Sequence, residues 1–171
     1  MGLQHVDAHL EDKLPKTIGG VQLAKMSVPL STYMASSPGG DKTLYTPWLV
    51  PFGKSPDDVD IAIAAPPEYF FTGATPPENF FIQAIEVPGQ NAAALSNGFA
   101  DVARAKKWPV GTTTVGDMTI LSITDPSVTA SGLLSQAYVW SSGDILYLIV
   151  TDDPNLMVEA MAKLQTLSKL P

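Results

Sequence analysis

The chain has 171 residues, 45% of them hydrophobic and 16% charged, with 15 prolines, no cysteine and a formal charge of -7. The length suits one domain with a real core, and so much apolar content beside so little charge excludes a long disordered region. The acidic balance argues against nucleic acid as a partner, and the lack of cysteine excludes disulfides, thiolate metal sites and cysteine nucleophiles.

Leu3, Val6, Leu10 and Leu14 recur at helical spacing until Pro15, which predicts a short helix over 4–14. Gly19-Gly20 reads as a turn, and VQLAKMSV (21–28) alternates as a strand should. Residues 29–56 hold five prolines and three glycines without a sustained period, so they read as a long irregular insertion. VDIAIAA (59–65) is a predicted strand. It is followed by a doubled segment, Pro-Pro-Glu-Tyr-Phe-Phe at 66–71 and Pro-Pro-Glu-Asn-Phe-Phe at 76–81.

FFIQAIEV (80–87) is the next predicted strand. Over 91–107, Leu95, Phe99, Val102 and Ala103 fall on one helical face; Asn91 suits the N-cap and Trp108-Pro109 the stop. TTTVGDMTILSI (112–123) is strand-like through its Thr, Val and Ile content, and a turn ending in Gly116 opens this run of strands as one ending in Gly20 opens the first. LLSQAYVW (133–140) and ILYLIV (145–150), joined by Ser141-Ser142-Gly143-Asp144, form the clearest hairpin. ILYLIV is apolar on both faces and belongs at the centre of a covered sheet. Asp153 then caps, Pro154 takes the first helical position, and Met157, Met161, Leu164 and Leu167 make the buried stripe of a helix over 154–168.

The order α-βββ-α-βββ-α predicts an α+β fold with a largely antiparallel sheet and packed helices. Residues 1–171 are expected to form a single domain. It is either two related βββα halves, 1–108 and 109–171, or one unrepeated sheet. The first half is longer, with its excess in the insertions 29–56 and 66–79.

Two stretches resemble a known pattern. LEDKLPKTIGGVQLAKMSV (10–28) is similar to a Leu-Pro-x-x-hydrophobic-Gly-Gly-Val-x-Leu opening, and GDILYLIVTDDPNLMVEAMAKL (143–164) to a Gly-Asp-hydrophobic-aromatic strand with a capped Ala-rich helix. KSPDDVDIAIA and FFIQAIEVPGQNAAAL lie between them in matching order. The pattern resembles poorly characterised bacterial secreted proteins and lipoproteins. It implies an extracytoplasmic location and supplies no activity and no catalytic residues. The 29–56 segment and the doubled Pro-Pro-Glu stretch depart from it. A fainter similarity, to α/β/α sandwich lipoproteins of the photosystem-II-accessory type, implies an antiparallel sheet with covering helices. The opening Met-Gly-Leu-Gln-His-Val-Asp lacks the basic and apolar regions of a signal peptide. The expectation is a secreted or lipid-anchored protein whose leader is absent from this chain, with a cytoplasmic location as the alternative. No run of 18 apolar residues suggests a transmembrane segment.

Candidate chemistry is sparse. His5 and His9 stand at i and i+4, a spacing that can hold a metal on one helix face. Val6 occupies the place of the glutamate in a His-Glu-x-x-His motif, and two solvated histidines are the plainer reading. Asp57, Asp58 and Asp60 lack the spacing of a calcium loop and read as a turn before a strand. Ser96 has no nucleophile elbow around it, and no dinucleotide or P-loop glycine pattern occurs. Glu68, Glu78 and Glu86 are the carboxylates that an unrecognised hydrolase site would use. No cofactor is indicated.

The aromatics say more. Tyr33, Tyr45, Trp48 and Phe52 fall in the first insertion, and Tyr69, Phe70 and Phe71 in the second, with Phe80 and Phe81 beside them. They read as a contact surface of rigid rings or, more plainly, as a plug over the sheet's open face. The leading expectation is a non-enzymatic extracytoplasmic binding or assembly protein that meets a protein partner or itself through these rings. One alternative is a carrier of an apolar small molecule, with Met26, Met34, Met157 and Met161 as a soft lining. The other is a hydrolase.

Overall fold

Alternating side chains along β4 (Asp60–Ala65) sort the protein into two cores: Ile61 and Ile63 point to one, Ala62 and Ala64 to the other. The strand belongs to a seven-stranded sheet in a computed structural model that describes residues 2–36, 42–72, 80–126 and 136–171. The other members are β3 (Ala24–Pro29), β5 (Phe80–Glu86), β6 (Val110–Val115), β7 (Met118–Thr124), β8 (Gln136–Ser142) and β9 (Ile145–Thr151). Their order is β3-β4-β5-β9-β8-β7-β6, antiparallel throughout. β1 (Thr17–Ile18) and β2 (Val21–Gln22) form a separate hairpin across Gly19 and Gly20, whose φ values of 58° and 76° a side chain would strain.

The fold is the expected α+β class with an antiparallel sheet. Helices cover both faces. On the insertion face lie α2 (Leu30–Ser36), α3 (Tyr45–Leu49), α4 (Pro67–Thr72) and α5 (Ala92–Ala105). On the terminal face lie α1 (Ala8–Asp12) and α6 (Pro154–Ser168). Asn91 and Asp153 accept hydrogen bonds from Ala94 N and Asn155 N and cap α5 and α6 as expected.

β9 takes the central place that its apolar run predicts, between β5 and β8. Gln83 stands directly opposite Leu148, and each is the fourth residue of its seven-residue strand. The strands of the two halves therefore meet about a local two-fold normal to the sheet. The helices break this symmetry, since α5 and α6 cover opposite faces.

Four local expectations are corrected. The first helix spans only Ala8–Asp12, because the Asp7 side chain accepts from Leu10 N and starts it there. Residues 4–6 instead run beside β3, with Ser27 N donating to Gln4 O and Val6 N to Ser27 O. The strand expected over 21–28 breaks at Leu23 into β2 and β3. The 29–56 insertion is largely helical; its helices of seven and five residues are too short to display a 3.6-residue period, and Pro47 is tolerated early in α3. The 112–123 stretch supplies two strands rather than one: the turn expected at Gly116 is there, with φ 64°, but β6 precedes it and pairs with β7 as a hairpin. The first Pro-Pro-Glu copy forms α4, and most of the second lies outside the described residues.

Candidate functional site

The ring cluster begins with Trp48. α3 lays it against α5, where its Nε1 donates to Leu95 O at 3.0 Å and its ring meets Phe99 at 5.6 Å and Phe52 at 6.1 Å, both edge to face. Gly98 lies under the indole, and a Cβ there would sit 3.6 Å from it, an ordinary contact that the packing would accept. Trp48 is 1% exposed and Tyr45 is 7% exposed. Tyr45 Oη donates to Gln83 Oε1 at 3.0 Å, and Gln83 Nε2 donates to Tyr33 Oη at 2.7 Å, so the buried amide at the sheet's centre is satisfied. Burial, then the neighbouring Tyr33 and Tyr69, push the Tyr45 hydroxyl well above the usual tyrosine range.

α4 extends the cluster. Tyr69 contacts Phe70 edge to face at 5.3 Å and lies over Phe81 at 5.2 Å. Tyr33, Phe52, Tyr69 and Phe70 are half-buried against the same core. Phe71 is 66% exposed and projects from α4. Of the seven candidates, Tyr45 and Trp48 are thus core residues with no surface to offer. Four more are flanks, and Phe71 alone of the seven faces solvent. The spacing of Tyr45, Trp48 and Phe52, at i, i+3 and i+7, is the signal that could have placed them on a buried helical face.

The other candidate groups do not converge. His9 lies in α1, whereas His5 lies outside it in the extended segment, so the two-histidine helix face is not built. His5 Nδ1 meets the Glu11 carboxylate at 2.9 Å, and Ser27 Oγ donates to the same carboxylate at 2.6 Å. Ser27 Oγ in turn accepts from Asp7 N at 2.8 Å. A nucleophilic serine needs its proton directed to the imidazole; here the proton goes to Glu11 and Ser27 is fully buried, so the network ties residues 5–11 to β3. Sequence reasoning missed this cluster, since one serine between Met26 and Val28 carries little signal.

Among the described residues no group of three or more His, Asp or Glu could hold a metal ion. Asp58 accepts from Ser55 N and Oγ, both at 2.8 Å, which holds its carboxyl below the usual range. Partial burial, then Asp7, raises Asp60. Partial burial, then Asp144 and Asp7, raises Glu86. Glu68 follows β4 next to the start of β5, whereas Glu86 ends β5, so the two sit at opposite ends of that strand. Glu78 lies outside the described residues. Ser96 Oγ bonds Ala92 O within its own helix.

The four methionines share no lining, because Met26 and Met34 pack on the insertion face and Met157 and Met161 on the terminal face. A hollow of about 330 Å³ between α5 and β7–β8 has a mixed lining, with Ser96, Asn97 and Ser141 beside Leu121, Val139 and Trp140. Among the described residues no helix is long and apolar enough to cross a membrane. No protein-family model, curated protein or solved structure matches the chain.

Proposed function

We propose that this is a non-enzymatic binding or assembly protein, working outside the cytoplasm, whose contact surface is α4. One observation carries the reading: Phe71 is 66% exposed on a helix whose neighbouring rings, Tyr69 and Phe70, meet each other and lean on the core. A ring carried on a helix that is itself packed on the core loses little backbone freedom when a partner covers it, which is how aromatic anchors contribute to interfaces. The extracytoplasmic part rests on the low charge and on the lipoprotein-like motifs.

The test places a photo-crosslinking phenylalanine analogue at position 71 and, as a control, at Val50, which is 64% exposed on the other insertion. The expected result is a discrete crosslinked protein band from position 71, to a partner or a second copy, that position 50 does not give. Equal yields from both positions, or none from 71, would end this reading.

A further inference from the structure

The sheet has a fork. β7 pairs with β8 from Thr124↔Gln136 only as far as Leu121↔Val139, yet both strands run on, β7 to Met118 beside β6 and β8 to Ser142 beside β9. Beyond Leu121 the two hairpins separate, and the hollow of about 330 Å³ lies where they part. Ile120 and Trp140 border it although their side chains pack in the terminal core, so they reach it with main chain. Thr124 N donates to Pro109 O, which turns the main chain of residues 120, 122 and 124 toward β6 and that of 119 and 121 toward β8. Thr119 thus presents its N–H and C=O to the gap, as does Ser141, two residues beyond Val139.

The first two turns of α5 cover this fork. Val139, 1% exposed, and the half-buried Leu121 form its floor, and the exposed Asn97 and Thr119 its rim. Ser96 Oγ and Ser141 Oγ both meet Ala92 O. A carbonyl only accepts, so both hydroxyls direct their protons to it and present lone pairs to the hollow. A ligand must therefore bring its own O–H or N–H donors. Asn97 and the main chain of Thr119 and Ser141 supply donors and acceptors in return. None of the lining residues is charged, so an ion there would lose hydration with no counter-charge beside it.

We propose that the fork binds a neutral sugar ring. Ring hydroxyls donate to the two serine oxygens, and the C–H face rests on Leu121 and Val139. The volume is near the lower end for ligand pockets, which span roughly 300–1,000 Å³, and so suits a single ring. This site is separate from α4 and does not depend on the reading given to Phe71.

Titrating the full chain with glucose and with N-acetylglucosamine, followed by two-dimensional amide NMR, tests this. At least one of them should give saturable shifts confined to the amides of 92–97, 119–121 and 139–141. Its charged counterpart, glucuronate or glucosamine, should bind about tenfold more weakly. Ala93 is exposed and lines the hollow, so Ala93→Leu fills the site with little demand on the fold and should abolish the shifts. Asn97→Ala, also at an exposed position, should weaken binding about fivefold through one lost hydrogen bond. No saturable shift from either neutral sugar up to its solubility limit overturns the proposal. So do shifts that map to α4, a charged counterpart that binds as tightly as its parent, or an affinity that both variants leave unchanged.

Discussion

One sheet carries two covers built on different terms. On the insertion face it presents Ile61, Ile63 and Ile85, and large rings fill the space up to α5. On the terminal face it presents Ala62, Ala64 and Ala84, and α1 packs onto β3, β4 and β5 with Leu10 fully buried. The covers follow the local side chains: rings fill in over these isoleucines, and α1 packs where the three alanines line up. The terminal face adds a buried polar tie, Glu11 to Ser27 and His5, where the insertion face has the Gln83 amide between two tyrosines.

Breaking each cover should separate the two. Trp48→Ala leaves a cavity at the centre of the insertion cover and should cost about 3–5 kcal/mol in chemical denaturation. A loss under about 1 kcal/mol would mean that the insertion contributes little to closing that face. Glu11→Ala strips the acceptor from a fully buried hydroxyl and from His5, and should cost about 2 kcal/mol. Amide exchange should then rise first in residues 4–7, which that carboxylate holds to β3, with α3 unaffected; a uniform rise would deny it a local role.

The smallest expected effect concerns Glu86, whose folded pKa lies above the ordinary glutamate value. Stability from such a group is present below the unfolded pKa and is lost as pH rises through the folded one. Glu86→Gln should therefore stabilise the protein slightly at neutral pH, by about a few tenths of a kcal/mol for a partly exposed group, seen as a small rise in Tm, and the gain should vanish in acid. A gain that is equal at all pH values would remove the carboxylate's charge from the explanation.

Much of this frame was legible in the sequence. β4, β5 and β9 announce themselves as short apolar runs bounded by turn residues, and α5 and α6 through helical period and caps at Asn91 and Asp153. The turn at Gly116 was legible, but β6 before it was not counted as a strand of its own, because β-branched residues run on both sides of Gly116-Asp117. The short helices of the insertion gave no full period. The candidate site was the least legible part. Trp48 and Phe71 are both large rings in proline-rich stretches, and only the path of the backbone sends one inward and the other outward.

The central position of β9 also bears on how the chain is made. A ribosome delivers β3, β4 and β5 early, and they can pair as a meander as soon as they emerge. The open side of β5, Phe-Phe-Ile-Gln-Ala-Ile-Glu, must then wait for a strand that begins at Ile145. At about 5–20 residues per second that wait lasts seconds. For that interval the nascent protein shows a bare apolar edge in the middle of its future sheet. Aggregation during synthesis should therefore start at β5, in chains that have not yet received their keystone.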